Sequence, residues 1–199
     1  MNKKKLAAMV VSVALIGVIA IGATLAYFTD TQSKQNVVTM GKVDGELTEP
    51  EWDKDNTDSH IENVKPGDTI TKDPQVTMAD DSEDAYARFK VVVTAASGST
   101  ITADKLSELK FYKGTGANKT EVKFDAEGYF YVQDILSASD NYLLFDSVEI
   151  PADWGNTESM ATFNIDVTVD LVQADNFAPT KDGNGNITSW GAVAIEAAK

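Results

Sequence analysis

From Phe163 to Leu171 apolar and polar residues alternate without interruption. Phe163, Ile165, Val167, Val169 and Leu171 fall on one parity, and Asn164, Asp166, Thr168 and Asp170 on the other. Only an extended strand has a side-chain period of two, so this stretch requires a sheet with one buried and one wet face. The segment from Ala85 to Val93 begins with the same alternation and becomes apolar throughout, as expected of a more central strand. Gly128 to Val132 is aromatic and β-rich, Val148 to Ile150 is a short strand stopped by Pro151, and Val43–Leu47 and Val76–Met78 are weaker candidates. One short helix is expected, with Thr102 capping Ala103 to Lys110 and Leu106 and Leu109 on one face. Lys65-Pro66-Gly67-Asp68 reads as a turn, Lys113–Asn118 and Asp182–Asn186 as hairpin ends or exposed loops, and the acidic stretch Glu49–Asn63 as a loop. Short strands separated by Gly and Pro turns, with little helix, predict an all-β antiparallel β-sandwich with one or two short helices.

The sandwich is preceded by a different kind of segment. Lys3, Lys4 and Lys5 introduce a run from Leu6 to Ala26 that carries no charge. A basic head, an apolar middle and a small-residue end (Thr24, Ala26) make a signal peptide for export. The run is also long enough to act as a membrane anchor. Small residues at the end of the run and the lack of a following basic cluster favour cleavage, at Ala26/Tyr27. The expected divisions are a signal peptide at 1–26, an arm at 27–42 and a sandwich domain at 43–199. Cleavage leaves 173 of the 199 residues, enough for one domain with a core of its own. No cysteine is present, so an exported chain of this kind has neither disulfides nor thiolate chemistry. Loss of the three lysines takes the net charge from −14 to −17, which excludes nucleic acid and anionic lipid as partners of the mature chain.

The chemistry-bearing residues are few. A Ser-His-Asp mechanism needs a histidine, and the single one, His60, sits in a wholly polar stretch with nothing apolar to fix an imidazole. The paired histidines of an H-E-x-x-H zinc protease are absent. Asp182, Asn184 and Asn186 have the alternate oxygen ligands of a calcium loop. Ile187 and Val193 stand where that loop needs glycine and glutamate, which favours a plain turn. Asp80, Asp81 and Asp84 are a second weak calcium candidate, read more simply as a solvated loop. Trp52, Trp154 and Trp190 are packing residues by default, with a shared carbohydrate platform as the alternative. The sequence therefore leads us to expect no catalytic residue and no cofactor, with calcium as the one open candidate.

Cleavage frees Tyr27-Phe28, a polar stretch from Thr29 to Asn36, and Val37-Val38. These aromatic and valine residues either pack on the chain's own sandwich or form a donor strand that pairs with an exposed sheet edge of the next subunit. Head-to-tail donation that does not close on itself gives a filament.

Ala26-Tyr27-Phe28-Thr29-Asp30, Lys65-Pro66-Gly67-Asp68-Thr69-Ile70-Thr71-Lys72-Asp73 and Phe163 to Phe177 resemble the corresponding parts of the TasA/camelysin (CalY) family of Gram-positive bacteria. The resemblance implies a jelly-roll sandwich, export through a SipW-type signal peptidase, and a secreted or cell-surface location. It implies a subunit of biofilm matrix fibres, with Tyr27 to about Val38 as the donor strand and another copy or a family paralogue as partner. Two alternatives accompany it. Camelysin relatives carry a metalloprotease label, which the lone histidine argues against here. A monomeric accessory or anchoring protein of the matrix is the other.

Overall fold

The computed structural model describes residues 42–56, 61, 63–155, 158 and 161–191. The apolar run, Ala26/Tyr27, the donor-strand residues Tyr27, Phe28, Val37 and Val38, and His60 lie outside the described residues. Among the described residues no helix is long and apolar enough to cross a membrane.

Twelve strands run through the described chain: β1 (Gly45–Thr48), β2 (Thr69–Thr71), β3 (Gln75–Met78), β4 (Ala85–Ala95), β5 (Lys110–Lys113), β6 (Thr120–Val122), β7 (Tyr129–Tyr131), β8 (Asn141–Leu143), β9 (Ser147–Glu149), β10 (Phe163–Gln173), β11 (Thr180–Lys181) and β12 (Ile187–Ser189). Two short helices interrupt them, α1 (Pro50–Asp55) and α2 (Ala103–Leu106). Every named strand pairing is antiparallel. The fold is all-β and sandwich-like, as the alternation predicted.

One layer is the sheet β10-β4-β7. Its two long strands pair over their whole length, from Phe163 opposite Ala95 to Gln173 opposite Ala85. The other layer consists of β1-β3-β8 and β2-β9-β5-β6. These two ladders share one register. Thr71 faces Ser147 and Gln75 faces Leu143, so residues 72–74 lie opposite 144–146 with no slip. The Lys72 N–H donates to the Asp146 carbonyl (3.3 Å) and the Leu144 N–H to the Pro74 carbonyl (2.9 Å), which carries the ladder across the gap. Pro74 has no N–H to give, and that is why regular pairing lapses there. The layer is one sheet in the order β1, β2–β3, β8–β9, β5, β6.

The core lies between the layers. From β4 come Ala85, Ala87, Phe89 and Val91; from the facing sheet come Ile70, Val76, Met78, Phe111 and Val148, all buried. Phe89 and Phe130 of the first layer both approach the Tyr142 ring of the second, at 6.1 and 6.3 Å between centroids. On the outer side of β4, Arg88 is held by Asp170 at 2.8 Å and lies between the rings of Tyr129 and Trp190. The chain's one arginine is thereby committed to fastening the C-terminal hairpin region to the sheet.

Two expectations need correction. The stretch Glu49–Asn63 is not loop throughout, because α1 occupies Pro50–Asp55. The predicted helix from Ala103 stops at Leu106, since Lys110 already begins β5, although Thr102 caps it as expected by accepting from the Lys105 N–H. Trp154 closes this end of the core. It packs edge-on to Phe163, and its Nε1–H donates to Glu108 Oε2 at 2.8 Å, which Lys105 Nζ also reaches at 3.1 Å. The Trp154 hydrogen bond first, and Lys105 second, hold the Glu108 carboxyl below its ordinary 4.5. A carboxylate with a depressed folded pKa contributes stability that is complete above its unfolded value and is lost as pH falls through the folded one. The thermal midpoint should therefore fall below about pH 4.5 more steeply in the natural chain than in Glu108→Gln. Parallel curves would show that these contacts contribute nothing to folding.

Candidate functional site

β10 is an edge strand. Among the described residues it pairs with β4 on one side and with nothing on the other. Eleven residues of open ladder are a template for another strand, which proteins ordinarily cover, shorten or charge. The inner face of β10 is also less covered than that of its neighbour. Phe89 and Val91 on β4 are 0% and 7% exposed, whereas Phe163, Ile165, Val167, Val169 and Leu171 are each only partly buried against the core. Among the described residues, this partly exposed apolar face beside an unpaired edge forms an open slot.

The far wall of the slot comes from the opposite layer. At the Leu171 end, β1 comes close. A Cβ on Gly45 would sit 2.8 Å from Leu171 Cδ1, so the two edges lie close together here. At the Phe163 end the wall retreats, because β1 ends at Thr48 and the chain turns off into α1 instead of continuing beside β2. The result is a pocket of about 630 Å³ between Trp52, Ile70 and Lys72 on one side and Phe163 and Ile165 on the other.

The Lys65–Asp73 segment builds that wall. Gly67 takes φ +85° in the turn, and Asp68 accepts from the Lys65 N–H at 2.7 Å. After the three residues of β2, Lys72 places its ammonium 2.7 Å from both oxygens of Glu49 and 5.0 Å from the centre of the Trp52 ring. Asp73, 6% exposed, accepts from the backbone N–H groups of Glu51 and Trp52 at 3.0–3.1 Å. A carboxylate from a distant segment thus caps α1, a position where negative charge also meets the positive end of the helix. Asp73→Ala should leave these amides without their partner and cost about 2 kcal/mol in urea unfolding. A loss below a few tenths would show that α1 is held by packing alone.

The candidate calcium residues fall elsewhere. Asp182 Oδ1 accepts from the backbone N–H groups of Asn184 and Asn186, at 2.8 and 2.9 Å, and Oδ2 accepts from Asn186 Nδ2 at 3.1 Å. Those bonds hold its carboxyl below the ordinary range. This loop is the turn between β11 and β12. Asp80 accepts from the Ser139 hydroxyl at 2.7 Å, Asp81 pairs with Lys42 at 3.3 Å, and the backbone carbonyl of Asp84 accepts from the Ala174 N–H. Among the described residues no three His, Cys, Asp or Glu side chains are grouped to hold a metal ion. The three tryptophans share no surface: Trp52 lines the slot, Trp154 closes the core and Trp190 covers Arg88.

No curated protein matches the chain. Residues 1–82 cover the apolar run, the arm, β1, α1, β2, β3 and the Lys72–Asp73 clasp. Over that stretch the chain is camelysin-like, matching the family described as camelysin metallo-endopeptidase.

Proposed function

We propose that the chain is a secreted structural subunit of extracellular matrix fibres, polymerised by donation of the mature N-terminal strand, Tyr27 to about Val38, to the next subunit. The observation that carries this reading is the slot beside β10, an edge unpaired among the described residues next to a partly exposed apolar face. A strand laid there gains main-chain hydrogen bonds along the ladder and covers Phe163 to Leu171, which is how β-augmentation achieves affinity. The camelysin-like match spans the donor segment and the α1 wall and ends before β10. Cleavage at Ala26/Tyr27 then acts as the trigger. Until the apolar run is removed, the arm is tethered, so assembly begins only outside the membrane.

Electron microscopy and sedimentation of mature protein, beside protein lacking Tyr27 to Val38, test this. Filaments from the first and folded monomers from the second are expected. Monomers from both would overturn self-polymerisation and favour the accessory role on fibres of a paralogue.

The family description favours one second reading, a cell-surface metallo-endopeptidase. The described residues do not fit a metal centre, since no ligating group of three converges. Casein cleavage by homogeneous protein that stops on chelation and returns with zinc would establish that reading over the structural one.

A further inference from the structure

We propose that the donated arm enters the slot with its odd-numbered face inward. Tyr27, Thr29, Thr31, Ser33, Gln35 and Val37 then share the inner face of β10, toward the opposite layer, while Phe28, Asp30, Gln32, Lys34, Asn36 and Val38 face water. The inference rests on the strand-donation reading and adds its phase.

A strand presents alternate residues to opposite faces, so the arm has two ways to lie, and a slip of one residue exchanges them. The two faces are chemically unequal. The odd set carries no charge, whereas the even set carries Asp30 and Lys34. The inner face of β10 is an apolar row, Phe163, Ile165, Val167, Val169 and Leu171, already partly withdrawn from water. A carboxylate or ammonium placed on it would lose hydration, and the slot's Glu49 and Lys72 already pair with each other at 2.7 Å. The outer row of β10 is the opposite, with Asn164, Asp166 and Thr168 exposed. Asp30 and Lys34 keep their water there. The threonines of the odd set also suit a strand, being β-branched. The half-polar pocket at the Phe163 end, with Glu49, Lys72 and Thr162 beside Trp52, gives hydroxyl and amide groups partners that a purely apolar slot would lack.

Neighbouring substitutions of equal charge separate the two phases. Full mature protein carrying Thr31→Asp is compared with Gln32→Asp, both beside the unsubstituted chain and the arm-deleted one, with pelletable fibre as readout and thermal midpoint as fold check. Thr31→Asp should reduce fibre at least about tenfold, and Gln32→Asp by less than about twofold, with all midpoints alike. The reverse order would overturn the phase by assigning the even face inward. Equal effects would overturn it too, by showing that neither face is buried. An unsubstituted chain that stays monomeric would instead overturn strand donation itself, and the phase with it.

Discussion

Val167→Lys is expected to abolish fibre assembly while leaving the subunit folded. Val167 stands at the middle of β10, opposite Val91, on the face that packs against the core but is only partly buried. A lysine there can bend its ammonium out through the open side of the slot in the monomer, at a cost near 1 kcal/mol. Once a strand covers the slot, that exit closes, and the charge is buried without a partner. The penalty falls almost wholly on the assembled state, so pelletable fibre should drop at least about tenfold while the urea midpoint moves little. Fibres in normal yield from this variant would place the subunit contact somewhere other than β10.

Phe89→Ala should do the converse and strike the fold itself. Phe89 lies one strand away, opposite both Val169 on β10 and Phe130 on β7, and is fully buried. Its ring sits 6.1 Å from that of Tyr142 across the sandwich. Removing it deletes buried area and leaves a cavity that the two sheets cannot close, at a cost of about 3–5 kcal/mol. Against a domain stability of roughly 5–15 kcal/mol that is a large fraction. Urea unfolding of the mature chain, kept dilute enough to stay monomeric, measures it. A change under about 1 kcal/mol would mean that the interface between the layers rearranges around the loss. The contrast between positions 167 and 89 follows from burial: Phe89 is fully buried by folding, whereas Val167 is left partly exposed, for assembly to cover under the proposal.

The long strands were legible in the sequence because periodicity needs length to register. β4 and β10 each run eleven residues, and their alternation gave both the element and the inward face. Their pairing with each other was not legible, since parity says which side faces in and nothing about the neighbour. β2, β5, β6 and β8 are three or four residues long, too short to be read by pattern, and the equally short β3, β7 and β9 were legible only through residue type or a flanking proline. α1 was read as loop for a related reason. It has six residues, no buried one, and no side-chain cap of its own, because its cap is Asp73 from beyond the Pro66-Gly67 turn. Within Lys65–Asp73 the Lys65–Asp68 turn was legible from residue type, and the rest stood out only by resemblance. Its physical role needs three dimensions, where it fastens α1 and leaves a gap beside β2. The slot beside β10 is a missing neighbour among the described residues, and a missing neighbour leaves no trace in the composition of the strand that lacks it.

The chain has no cysteine, which permits a direct test of the central claim. Mature protein with Val167→Cys is mixed with copies carrying one cysteine at Thr29, Thr31, Ser33 or Gln35, and assembled under mild oxidation. A disulfide needs Cα atoms within about 7 Å, so it reports true adjacency. The account predicts a cross-link between copies that joins β10 to at least one of these arm positions, and none when the β10 partner carries its cysteine at Lys123 instead. Assembly without any cross-link from arm to β10, or equal cross-linking at Lys123, would contradict it.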